Sequence, residues 1–187
     1  MNMIKIYLFI LCVLISGCSS TSSPYLTIDN HGEIVNASFI QWNNDYAVTV
    51  KHIPQHPDYV YISGKYDIQF FQHKGIPVKW ANLKEKETII FTGYCNSGYV
   101  SIQSKDMGVS IKPKGNKIPV YRAGIATIMP GMSGGAVINS QDKVVGMNIG
   151  FTTEKVFFDN SYQKMSIFVP YHIIKSEWTN YLILKED

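Results

Sequence analysis

The feature that most constrains this chain is the recurrence of short apolar alternations separated by turn residues. Runs of this kind occur at 33–42, 46–50, 59–62, 67–71 and 78–80. After the charged stretch Lys84-Glu85-Lys86-Glu87 they resume at 88–94, 99–103, 109–111, 120–123 and 125–129, then at 136–139, 144–149, 156–158 and 166–169. A period of two over a few residues marks a half-buried strand, and many such strands at close spacing point to an all-β barrel or sandwich. The 12 Tyr and 9 Phe, with 14 Gly spread along the chain, fit that class. The charged stretch falls near the middle, so two small packed barrels are the natural division. Only the tail breaks the pattern: the apolar positions from Pro170 to Leu182 suit an amphipathic helix, about 170–183, with proline in its first turn.

The start of the chain reads as an export signal. Lys5 precedes an apolar run at 6–15, which is signal-peptide length and too short to cross a bilayer as a helix. Ile15-Ser16-Gly17-Cys18 then matches a bacterial lipobox, in which the cysteine is acylated and becomes N-terminal. This predicts a signal peptide at 1–17, a lipid anchor on Cys18, and a polar flexible tether at 18–24. Ser19 directly after the cysteine favours the outer membrane in a Gram-negative host. Residues 25–187 then suit one domain by size, with a first barrel at about 25–83 and a second at about 88–169.

Several chemistries find no support. The net charge of +3 is small and scattered, which argues against nucleic acid. There is no zinc-ligand spacing and no phosphate loop, so neither a metal nor another cofactor is expected. With Cys12 and Cys18 in the export segment, Cys95 is the lone cysteine of the mature domain and reads as a small buried hydrophobe.

The candidate chemistry lies in Pro130-Gly131-Met132-Ser133-Gly134-Gly135-Ala136. Glycines around a serine let the backbone take positive φ, expose the hydroxyl on a turn and gather amide N–H groups. The N–H groups of Gly131 and Ser133 are candidates for an oxyanion hole. A nucleophilic serine needs a base, and the base an orienting acid. Of the five histidines, His52 alone follows directly on an alternating run, and Asp67 opens another, fifteen residues later. Asp45 and Asp58 compete for the acid role, but Asp58 lies in a polar loop. The chain order His, Asp, Ser is known for this triad.

These segments resemble those of the chymotrypsin-like serine proteases. Thr49-Val50-Lys51-His52 is similar to the family's T-A-A-H, Asp67-Ile68-Gln69-Phe70-Phe71 to D-I-A-L-L, and Gly131-Met132-Ser133-Gly134-Gly135 to G-D-S-G-G. Thr92-Gly93-Tyr94 lies in a segment resembling the one that opens the second barrel in bacterial relatives. Val144-Val145-Gly146-Met147-Asn148-Ile149-Gly150 resembles the substrate-binding strand after the nucleophile. The resemblance implies two packed antiparallel barrels of the six-stranded type, with a C-terminal helix against the second. It implies a catalytic His52, Asp67 and Ser133, a peptide or protein substrate, and a primary pocket with Thr127 at its base and Asn148 and Gly150 on its wall. None of these three is charged. Met132 departs from the pattern, since it replaces an aspartate with which a freed N-terminus would pair.

Two other readings belong to different classes. A protease fold without activity could serve as a lipid-anchored binding module. An esterase of the α/β-hydrolase type would need a helix after its serine and its histidine last in the chain. Here a β-branched run at 135–139, closed by Ser140-Gln141-Asp142, follows Ser133.

Overall fold

A computed structural model describes residues 21–28, 31–112, 120–152, 156–158 and 161–186; the expected leader and Cys18 lie outside them. The N-terminal half is a five-stranded antiparallel sheet of β1 (Ser23–Ile28), β2 (Ile34–Gln41), β3 (Tyr46–Thr49), β4 (Tyr59–Ile62) and β5 (Gln69–Gln72). Its order is β1-β2-β3-β5-β4, and it does not close. The C-terminal half is a closed six-stranded barrel of β6 (Thr88–Cys95), β7 (Gly98–Ile111), β8 (Tyr121–Gly124), β9 (Ala136–Asn139), β10 (Val144–Phe151) and, after the hairpin β11 (Val156–Phe158) and β12 (Ser161–Gln163), β13 (Ser166–Pro170). Around the barrel the order is β10-β13-β8-β7-β6-β9. Among the described residues one barrel closes, where two are expected. With only the β4 hairpin between β3 and β5, the first half forms an open sheet.

The polar tether is shorter than its composition predicts. β1 begins at Ser23 and pairs with β2 in register from Ser23↔Phe39 to Ile28↔Ile34. Ser22 is fully buried. As an edge strand, β1 tolerates Pro24, whose missing N–H costs no ladder bond on the open side.

Helix α1 (Tyr171–Glu186) follows directly on β13, so Pro170 ends a strand instead of opening the helix. It packs on the barrel, as expected, and also on the sheet. Ile174 joins a core with Val144, Met147 and Val169 of the barrel and with Ile40, Val48 and Phe70 of the sheet. Trp178 packs on Trp42, Tyr46 and Phe70. The buried Glu177 accepts a hydrogen bond from Tyr61 Oη at 2.9 Å and one from Asn180 Nδ2 at 3.0 Å. Burial, and then the Glu177 carboxylate, push the Tyr61 phenol up to about 12. The proton therefore stays on the phenol and satisfies the buried acid.

Candidate active site

β3 and β5 pair antiparallel with Thr49 opposite Gln69, so the end of one and the start of the other share an edge. His52 follows β3 and Asp67 precedes β5 at that edge, although only fifteen residues separate them. Asp67 Oδ1 accepts the N–H groups of Lys51 and His52 at 2.9 and 3.0 Å, and Oδ2 meets His52 Nδ1 at 2.5 Å. A carboxylate on Nδ1–H fixes the tautomer and leaves Nε2 as the basic nitrogen. The side chain of His52 is 44% exposed and that of Asp67 19%, so the ring can be reached while the acid is shielded. The Asp67 N–H in turn donates to Tyr121 Oη of β8 at 3.1 Å. Burial raises the Tyr121 phenol, so this barrel residue stays protonated at neutral pH while it supports the acid. Asp45 and Asp58 line a separate cleft with His73 and do not approach His52.

Ser133 lies in the loop before β9, and a strand, not a helix, follows it. The loop has no room for side chains at its glycines. Gly134 has φ of +86°, and a Cβ there would lie 2.0 Å from the Ser38 carbonyl oxygen. A Cβ on Gly135 would lie 2.0 Å from the Thr92 carbonyl oxygen. Both positions are therefore closed to any residue with a Cβ.

Four N–H groups of this loop are committed. Met132 donates to Met129 O at 3.1 Å, Gly134 to Asn148 O at 2.8 Å, Gly135 to Met132 O at 3.0 Å and Ala136 to Ser22 Oγ at 2.7 Å. Among the described residues, the N–H groups of Gly131 and Ser133 donate to none. These are the two that the sequence singles out as an oxyanion hole. The carbonyls around them are held. Ser38 Oγ donates to Gly131 O at 3.0 Å and Ser38 N–H to Ser133 O at 2.8 Å. Asn148 Nδ2 donates to Met132 O at 3.0 Å. Because a trans peptide sets C=O and N–H on opposite sides, fixing the Met132 carbonyl also fixes the direction of the Ser133 N–H.

His52 and Ser133 line one cleft of about 660 Å³, together with Val35, Asn36, Ile53, Pro54, Pro130 and Gly131. No hydrogen bond joins Ser133 Oγ to the imidazole. The expected pocket residues divide. Thr127 is exposed and Gly150, with φ of +147°, is half-buried; neither lines this cleft. Asn148 is completely buried with its amide on Met132 O, so it holds the Ser133 loop from behind. Cys95 is a further correction. It ends β6 half-buried, where a hydrogen bond with the Ser97 hydroxyl lowers its thiol pKa. The supporting roles of Ser22, Ser38, Asn148 and Tyr121 join side chains to backbone far along the chain, and no local motif announces them.

The fold is that of serine proteases of the HtrA and chymotrypsin type. The active form of the Rv3671c protease from M. tuberculosis superposes with a TM-score of 0.68 at 14% identity, covering 86% of this chain and 80% of that one. The HtrA-type protease AlgW, solved with a tripeptide, gives 0.65 at 14% identity over 82% of this chain and 57% of its own. The MamO protease domain from Magnetospirillum magneticum gives 0.59 at 17% identity over 75% and 86%. No family model and no curated protein sequence matches the chain.

Proposed function

We propose that this protein is a serine endopeptidase, working through Ser133, His52 and Asp67 and an acyl-enzyme intermediate. The observation that carries this reading is the meeting, in one cleft, of an Asp67-held imidazole with a serine flanked by two uncommitted N–H groups. In this scheme Ser133 Oγ attacks the scissile carbonyl carbon and His52 Nε2 takes its proton. The N–H groups of Gly131 and Ser133 bind the oxyanion of the tetrahedral adduct. Collapse expels the amine with the proton from His52 and leaves an ester on Ser133. Water, deprotonated by His52, then releases the acid and restores the hydroxyl. Val35, Ile53, Pro54 and Pro130 give the cleft an uncharged lining, which favours apolar side chains next to the cleaved bond.

The test is labelling with a fluorophosphonate and mass mapping of the adduct. Wild type is expected to be labelled at Ser133, Ser133→Ala not at all, and His52→Ala and Asp67→Asn more slowly by about 10³-fold or more. A folded wild-type protein that resists the probe would leave the fold as a binding module.

The same proposal places the enzyme on a bacterial envelope membrane through lipid on Cys18, in the outer membrane if the host is Gram-negative. Metabolic labelling with an alkyne fatty acid is expected to mark wild type and spare Cys18→Ser. Equal labelling of both would remove the anchor.

A further inference from the structure

The ladder between β6 and β9 ends at Phe91↔Val137, one residue short of the loop that carries Ser133. The next residue of β9, Ala136, turns its N–H and C=O toward β6, yet neither meets a backbone partner there. Its N–H donates to Ser22 Oγ at 2.7 Å, and its C=O accepts from Thr92 Oγ1 at 2.9 Å. The two hydroxyl oxygens are 2.7 Å apart. Since Thr92 spends its proton on the carbonyl, Ser22 donates to Thr92 Oγ1. The result is a ring running from the Ala136 N–H through both hydroxyls to the Ala136 carbonyl. Ser22, Thr92 and Ala136 are all completely buried, so water cannot replace a missing member.

We propose that Ser22, brought in by the N-terminal segment, is a positioning residue for the nucleophile, and that the ring it forms with Thr92 sets the oxyanion hole. The proposal rests on the Ser133 reading above. The path is short and rigid. The Gly135–Ala136 peptide is held on its N–H by Ser22 and on its carbonyl by Asn148 N–H at 2.8 Å. Gly135 N–H in turn bonds the Met132 carbonyl, whose peptide carries the Ser133 N–H. Loss of the Ser22 hydroxyl leaves the Ala136 N–H buried without an acceptor, and the loop can satisfy it only by moving. Met132 is buried in the apolar core, so no charge next to the nucleophile does this work instead.

The experiment uses the full-length protein and the saturation kinetics of fluorophosphonate labelling. Ser22→Ala is expected to lower the maximal rate of Ser133 modification about 10- to 100-fold, with little change in the half-saturating probe concentration. Thr92→Val should fall comparably, Thr92→Ser should recover most of the rate, and Ser22→Ala with Thr92→Val should be no slower than the worse single change, as expected of one shared ring. Melting curves taken alongside give the folded fraction. Should Ser22→Ala fail to fold, Thr92→Val puts the same question from the other side of the ring. Labelling of both single variants at the wild-type rate, or slowing only in proportion to the unfolded fraction, would overturn the proposal and leave the triad in place. A folded wild type that is not labelled would overturn the triad, and this proposal with it.

Discussion

Asn148 shows how a residue can be located by sequence and its work still be mistaken. Its place in a strand resembling a protease substrate strand suggests a pocket wall, yet the side chain is buried and donates to the Met132 carbonyl. The two roles predict different data. As a support for the Ser133 N–H, Asn148→Ala should slow acylation by about 10-fold or more while leaving the order of preferred peptides unchanged. A shifted preference at an unchanged rate would restore the pocket-wall role. His52, Asp67, Ser133 and Gly131 are legible because each lies in a short local pattern whose residue types the chemistry demands. Ser22, Ser38 and Tyr121 are illegible for the opposite reason: each acts through a hydrogen bond to a residue 50 or more positions away, with Ala136, Gly131 and Asp67 among the partners.

At the scale of elements, alternation reports burial more faithfully than pairing. The run at 125–129 alternates as a strand does, but it belongs to none. Ser104 Oγ and Ser166 Oγ take the carbonyls of Ile125 and Ala126 at 2.8 Å each, so hydroxyls stand where a ladder is expected. The run at 78–80 contributes a single bridge, Trp80↔Val144. Conversely, the polar interval between 103 and 109 reads as a break, whereas β7 runs straight through it with a shift of register between Asp106 and Ser110. Gly108, at φ of +69°, accommodates that irregularity. The loop before β4 carries a pH dependence. His56 stacks on Phe71 at 4.1 Å and accepts the Asp58 N–H on Nδ1, which requires the neutral ring. Burial lowers its pKa below the ordinary 6.5, against the opposing pull of Asp58. Between these two values the unfolded chain binds more protons than the folded one, so stability is fully present above pH 6.5 and is lost as pH falls through the folded value. His172, lowered first by burial and then by Arg122, acts in the same sense. The melting temperature should therefore drop on acidification from about pH 8 to about pH 5, and His56→Gln should flatten part of that drop. Parallel curves for the two proteins would refute it.

At the scale of the molecule, the sheet and the barrel do not divide the labour of stability between them. A shared core runs from Ala37 and Phe70 through Val144 and Val169 to Ile174, and α1 closes it from outside, while a second cluster around Phe91 and Phe168 belongs to the C-terminal half. The two halves should accordingly unfold in a single calorimetric transition. Two resolved transitions, or a folded N-terminal half expressed alone, would contradict this. Burial of Ser22 also sets a limit on reach. In the lipid-anchored reading only residues 19–21 separate the acylated Cys18 from a residue locked inside the protein. Four residue steps at no more than about 3.6 Å each leave a leash of about 14 Å. If the proposed acylation of Cys18 holds, a leash of that length keeps the cleft between sheet and barrel next to the lipid and away from the surrounding fluid. Under that proposal, choice of substrate would be a matter of address as much as of sequence, limited to proteins whose loose segments pass close above the lipid.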